Sequence, residues 1–467
     1  MDDYTYKYII LEILEKVYRL KNYIAQNNLQ HYNNSNDDII KIFNHTIENI
    51  LNQIGQIIEK IDNASIDEYF VIQRKLANVY ESITCLHENL KYLHTDWLKP
   101  EIFTFVNQLR TYIPKSDEFG RINIILSDEY TFLETNLSNK FLSCISNFSP
   151  YSIQEMKDKN PTVILPKIEF CNPLNWPILT HELAHIDEEH IKKFIDSPEL
   201  YPPDISVADK LILRAWAEEI YCDLFASNLL GPCYYLSLTS FALLNSLSTG
   251  IGVSSKTHPP FAMRMAILYS FLDHSKLHIQ VKDHEMIDTL IHQHYYKMLD
   301  VVDETILKFP AAKQSERKID GLNIFYDYIK ENFEAVNHIP AAVKSSQLES
   351  MELLVEKLKN NIPIGSLRDY SEDDEFLKRL EGELSLEDFN KIKNSLTERK
   401  TEIWEILNAG WLYKFNTLIP RGMDLFFSEN NETIDKKLKI YGKYLEILDD
   451  RLLISIESST LMDYIEN

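Results

Sequence analysis

Apolar residues at Ile40, Phe43, Ile47, Ile50, Ile54, Ile57 and Ile61 recur at alternating steps of three and four. That period places them on one stripe of an α-helix, as in a coiled-coil seam. Ser65 follows, with Glu68 three residues on, the pattern of a capping box that opens a second helix. The second seam is Ile72, Leu76, Val79, Ile83, Leu86, Leu90 and Leu93. A short connection between two amphipathic helices predicts that they fold back antiparallel. Residues 4–27 carry helical spacing as well, so residues 1–115 read as a helical bundle, with a dimerisation arm as the alternative.

Period-two patterning is rare. "RINIILS" (121–127) and "TVILPKIEF" (162–170) read as strands, the second at a sheet edge because Pro166 lacks an N–H for a ladder. Helical spacing returns after residue 170. Further helices are expected over 207–230, 284–309, 319–336, 341–361, 373–382, 386–407 and 433–456, with a loop at "NNIPIGSLRDYSEDDE". The most membrane-like stretch, 234–253, is broken by Ser237, Thr239, Ser240, Asn245, Ser246 and Ser248 and reads as a buried helix. The expected class is mainly α with a small β element, in three parts: 1–115, 116–310 and 311–467.

Composition narrows the picture. A chain of 467 residues with 45% hydrophobic residues has ample material for packed cores, and only 11 glycines argue against a propeller or a glycine-fingerprint nucleotide fold. The net charge of −23, with no run of Lys and Arg, predicts neither a nucleic-acid nor a membrane partner. Five scattered cysteines without a C-x-x-C, and no secretory signal pattern at the N-terminus, predict a reducing, cytoplasmic setting.

The chemistry concentrates in "NPLNWPILTHELAHIDEEH" (172–190). Asn175 reads as a cap and Pro177 as a first-turn residue of a helix. His181 and His185 lie one turn apart on a common face, with Glu182 about 100° round. This H-E-x-x-H arrangement suits two imidazole ligands for zinc and a glutamate that handles the attacking water. A metzincin continuation is disfavoured, because positions 188 and 191 are Glu and Ile and His190 is one residue out of phase.

A third ligand is sought in "ADKLILRAWAEEIYCDLFASNLLGP", one helix from about Val207 to Leu230 with Ser206 as its cap. Glu219 and Asp223 are one turn apart in an apolar context, so Glu219 is the expected ligand and Asp223 the partner of an outer imidazole N–H. Glu218 is the rival; its neighbour one turn on is Cys222 rather than an acid. Downstream, "THPPFAMRMAIL" presents His258 from a rigid loop to stabilise an oxyanion. Arg264 either pairs with an acid of the site or binds a substrate carboxylate. Tyr234 and Tyr235 read as core, "HQH" (292–294) points to different helix faces, and "DEEH" (187–190) reads as a solvated helix end.

H-E-x-x-H, a later helix with E-x-x-x-D, then H-P and an Arg, in that order, resemble the gluzincin metallopeptidases over roughly residues 160–270. The resemblance implies a zincin-like core flanked by helical domains, Zn2+ held by His181, His185 and Glu219, Glu182 as general base and Asp223 beside a ligand. It also implies that the strand preceding the motif binds extended substrate along its edge. The expected function is a zinc-dependent endopeptidase with a restricted protein substrate; the alternative is an inactive zinc-bearing scaffold. Expected partners are a protein or peptide substrate, and a regulatory protein or a second copy through the N-terminal helices.

Overall fold

A computed structural model describes residues 3–30, 37–61, 64–88, 100–113, 122–127, 133–135, 162–169, 171–249, 257–275, 322–339, 348–362, 401–428 and 432–466. Four helices come first: α1 (Asp3–Gln30), α2 (Asp37–Ile61), α3 (Ile66–Glu88) and α4 (Pro100–Arg110). Strands β1 (Asn123–Ser127), β2 (Leu133–Thr135) and β3 (Thr162–Pro166) follow. Then come α5 (Pro177–Ala184), α6 (Glu188–Ile195), α7 (Val207–Leu230), α8 (Pro232–Thr249) and α9 (Phe261–His274). The last part holds α10 (Leu322–Glu331), α11 (Leu348–Asn361), α12 (Ile403–Tyr413), α13 (Ile419–Phe427) and α14 (Ile434–Glu466). The architecture is mainly α with one small sheet, and no helix among the described residues is long and apolar enough to cross a membrane.

The isoleucine stripe of α2 does what its spacing predicts. Ile47, Ile50, Ile54, Ile57 and Ile61 are all buried, and α2 packs on α3 and α1. The Glu68 carboxylate accepts from the Ser65 N–H and hydroxyl at 2.7 and 2.8 Å, which anchors the start of α3. α1 is the central rod: it contacts α2, α3, α8, α13 and α14, and its residues from Tyr8 to Leu20 are buried nearly all round. One apolar cluster runs from Tyr6 through Trp176 and Trp216 to Leu453, crossing all three expected segments.

The sheet corrects one expectation. Its order is β1-β3-β2, so β3 is central, parallel to β1 and antiparallel to β2. Pro166 is tolerated there because it is the last strand residue, opposite Ser127, after which the chain turns into a 3-10 segment at Lys167–Glu169. The strand before the motif is therefore an inner strand, paired with β1 throughout and with β2 over Thr162–Ile164. β2 was not anticipated from its three residues. It forms one outer strand of the sheet and packs against α5.

The C-terminal part also departs from expectation. Of the helix expected over 386–407, residues 386–400 lie outside the described residues; α12 starts at Ile403 behind a capping box of Glu402 and Glu405, runs to Tyr413, continues through a π-helical turn at Lys414–Leu418 and re-forms as α13. Pro420 sits in the first turn of α13, where a missing N–H costs nothing. Gly410 and Gly422 are close-approach points: a Cβ would lie 2.8 Å from Leu452 and from Tyr441, respectively. The helices expected over 284–309 and 373–382, and most of the loop at 360–375, lie outside the described residues.

Because α1 is buried on its polar side too, its charges need partners. Lys414 lies 2.9 Å from Glu12 and 2.8 Å from Glu15. Arg19 bridges Glu15 and Asp449 at 2.9 and 2.6 Å, and Lys16 pairs with Glu169. Glu169 also accepts from Asn172 and Asn175, the residues that lead into α5. Glu12, Glu15, Glu169 and Asp449 face Lys16, Arg19 and Lys414, one negative charge in excess. Burial, with Glu15 and Asp450 adding to it, pushes Asp449 up to about 7 although Arg19 pulls it down.

Two measurements follow. Lys414→Met strands Glu12 and Glu15 and should cost about 3–5 kcal/mol in urea unfolding at constant m, with part of the loss recovered by adding Glu12→Gln. For Asp449 the unfolded value is about 3.9, so the folded state holds the extra proton and this contribution is lost as pH rises through about 7. Asp449→Asn should flatten the decline in stability between about pH 5 and 7; an unchanged slope would count against the assignment.

Candidate metal centre

The approach to α5 is set by a 3-10 turn at Pro173–Asn175, continued by Trp176 with helical φ and ψ of −60° and −28°. Pro177 then opens the helix. Asn175 does not cap it: the N-cap is Trp176, and the Asn175 amide instead donates to Glu169 at 2.7 Å. The cap was unnecessary because the preceding turn already runs into the helix. α5 is short, and His185 is its C-cap residue, still helical at −59° and −18°. His181 and His185 therefore keep their one-turn relation. Leu179 and Leu183 are fully buried and seat the helix on α7 and α8.

α7 begins as its sequence predicts, the Ser206 hydroxyl accepting from the Asp209 N–H at 3.1 Å. It ends at Gly231, whose φ of 65° is left-handed and favours glycine. Between these ends Glu219 and Asp223 face α5. Glu219 reaches His181 Nε2 at 3.3 Å and His185 Nε2 at 3.8 Å. Ligand atoms from His181, His185 and Glu219 lie within 4.8 Å of one another. Ligands of a tetrahedral ion with bonds of about 2.0–2.1 Å sit about 3.3 Å apart, so small side-chain torsions close the set.

Both imidazoles are held from behind. His181 Nδ1 is 2.9 Å from Asp223 and His185 Nδ1 is 3.4 Å from Glu218. Each Nε2 therefore faces Glu219, while the other nitrogen meets a carboxylate, the arrangement that fixes tautomer and ring orientation in metal sites. The rival acid found its place: Glu218 orients, and Glu219 lies in the middle.

Asp223 is fully buried and receives four donors. They are His181 Nδ1, the Tyr234 hydroxyl, and Arg264 Nε and Nη2, the last two at 2.7 and 2.6 Å. Arg264 thus spends its guanidinium on the site's own acid rather than facing a cleft. Tyr234, read as core, is a member of the site: its ring stacks parallel to His181 with centroids 6.4 Å apart. The signal was the break at Gly231, which starts α8 with Tyr234 turned back toward α7. That turn is not visible from the count of tyrosines. Tyr235 is buried core, as expected.

His258 follows Thr257, whose hydroxyl lies 2.8 Å from its Nδ1, and its Nε2 is 3.6 Å from Glu219. Burial lowers its pKa, against the pull of Glu219. Glu182 is half-buried beside His181, and its charge adds to the causes that raise Cys222 and Tyr234. "HQH" lies outside the described residues. "DEEH" is only partly a solvated end: Glu188 and Glu189 are exposed, but Asp187 is buried at 3% exposure.

The electrostatics favour a cation. Burial opposes charging His181, yet Asp223 and Glu219 raise it to about 10. Burial likewise opposes charging Glu219, but His181 and Arg264 lower it to about 2. With carboxylates at both ring nitrogens, a positive charge between His181 and Glu219 is favoured, as a proton or as a metal ion. Comparison of the chain with profiles of known families, with curated proteins and with solved structures returns no match.

Metal binding must displace the His181 proton. Below about pH 10 this group should make apparent affinity for a divalent cation rise about tenfold per pH unit, beyond any contribution of bound water. Calorimetry at pH 7 and 8, in buffers of different ionisation enthalpy, should show this proton release. Asp223→Asn should diminish it; equal release from both proteins would remove the assigned role of Asp223.

Proposed function

We propose that this chain is a zinc-dependent endopeptidase with a gluzincin-like core over roughly residues 160–270. The observation that carries the reading is the convergence of His181, His185 and Glu219 from two helices, each imidazole backed by a carboxylate. Three nitrogen and oxygen ligands with a fourth position left for solvent is the composition of a catalytic zinc site. Zn2+ would supply a water of lowered pKa and polarise the scissile carbonyl.

The remaining chemistry belongs to the chain. Glu182, on the residue after His181, takes the proton of the attacking water and delivers it to the leaving amine. His258, kept neutral by its lowered pKa, donates toward the oxyanion that forms on the substrate carbonyl. Asp223, locked by Arg264 and Tyr234, keeps His181 in the tautomer that presents Nε2. The helical flanks restrict the protein substrates that reach this centre.

Glu182→Gln is the decisive variant. Peptide cleavage should fall by about 10²–10⁴-fold, while zinc content by elemental analysis stays the same. Cleavage by the variant at the wild-type rate would remove Glu182 from the mechanism. Zinc-loaded wild-type protein that cleaves no peptide across a diverse library would favour the scaffold reading instead.

A further inference from the structure

Asp187 lies just beyond the H-E-x-x-H turn, at the N-cap of α6, yet its side chain makes no cap bond. Its buried carboxylate is engaged elsewhere. Oδ1 is 2.7 Å from His190 Nδ1. Oδ2 accepts from the Tyr221 hydroxyl at 2.7 Å and lies 3.0 Å from His338 Nε2. His338 comes from a remote part of the chain, 151 residues on. Its segment follows a 3-10 turn at Phe333–Val336 and is pinned to α7 by the Asn228 amide, which donates to the Val336 and Ile339 carbonyls at 3.3 and 3.0 Å.

The tautomer of His338 is informative. Its Nδ1 faces the Ala335 carbonyl at 3.2 Å. A carbonyl only accepts, so Nδ1 carries the hydrogen, which leaves Nε2 as the ring nitrogen turned toward Asp187 and able to bind a metal ion. The Tyr221 hydroxyl lies 3.3 Å from the same Nε2, so His338, Tyr221 and the Asp187 carboxylate meet in one polar cluster. The His190 and His338 rings stack with centroids 3.6 Å apart and planes 8° from parallel, so one of them turns about its side-chain torsions to bring both nitrogens onto one ion. One divalent ion satisfies both neutral rings and the carboxylate together.

We infer that Asp187, His190 and His338 form a second divalent-metal site, selective for a zinc-type ion, that ties α6 to the segment after α10. The three ligand atoms lie within 4.8 Å of one another. Two imidazoles and one carboxylate are the donor set that suits zinc rather than calcium or magnesium. Tyr221 steadies the carboxylate from behind, and the Ala335 carbonyl does the same for the His338 ring. His338 is exposed and His190 half-buried, so their torsions close the set and solvent takes the fourth position. The site is structural, and it is independent of the peptidase reading.

The test is the metal content of the full chain, stripped, reloaded with Zn2+ alone and dialysed. Wild-type protein should hold two equivalents. His190→Ala and His338→Ala should each hold one, as should His181→Ala, with folding checked by far-UV circular dichroism. Loss of an equivalent from His338→Ala but not from His181→Ala would support this site even if the peptidase reading fails. Unchanged zinc in His190→Ala and His338→Ala, or a zinc-free His181→Ala protein, would overturn it. Should those variants fail to fold, zinc-edge anomalous scattering from reloaded wild-type crystals decides: a peak between Asp187 and His338 is expected, and its absence refutes the site.

Discussion

The buried carboxylate of Asp223 is the constraint on which the centre depends. It sits on α7, and its donors come from α5, α8 and α9. A bare carboxylate at this depth would be costly, and its charge is tolerable only because a guanidinium, a phenol and an imidazole all point at it. The same bonds that satisfy the charge fix where three helices stand relative to α7. Position and electrostatics are thus one property here. His181 cannot rotate without giving up its Asp223 bond, and the Glu219 edge of the ring is held in place as a result.

A second buried network plays the corresponding part at larger scale. α1 threads its Glu12, Glu15, Lys16 and Arg19 into the interior, where partners come from the turn before α5, from the π-helical turn and from α14. Replacing such a network by a packed apolar core is often neutral or stabilising, whereas removing one partner leaves a buried charge stranded. Glu169 is the hinge between the two systems. It pairs with Lys16 on α1 and with the asparagines that lead into α5. The N-terminal helix is therefore wired to the approach of the helix that carries His181 and His185.

Much of this was legible from the chain alone. Helical stripes, the Ser206 cap and the one-turn spacings of His181 with His185 and Glu219 with Asp223 are local properties, and local properties survive into the fold. What escaped was set by distant partners. Pro166 suggested an edge, but a proline at a strand's last residue sits equally well in the middle of a sheet. Tyr234 was one tyrosine among 26 until the chain reversal at Gly231 brought it to Asp223. Asp187 looked solvated beside Glu188 and Glu189, because its partner His338 lies in a different part of the chain. The helix expected to end at 407 caught only the first residues of α12, and α13 was not anticipated, because both are held by packing against α14 and α1.

For the peptidase proposed above, the short outer strand β2 has a consequence for selectivity. With β3 paired to β1 over all five residues and to β2 over Thr162–Ile164, an extended chain that joined the sheet at β2 would find three described strand residues to pair with. So brief a ladder offers a few hydrogen bonds, each worth about 0.5–1.5 kcal/mol net. Main-chain pairing would then act as a guide rail rather than a clamp. Discrimination among sequences would fall to side-chain pockets formed by the surrounding helices.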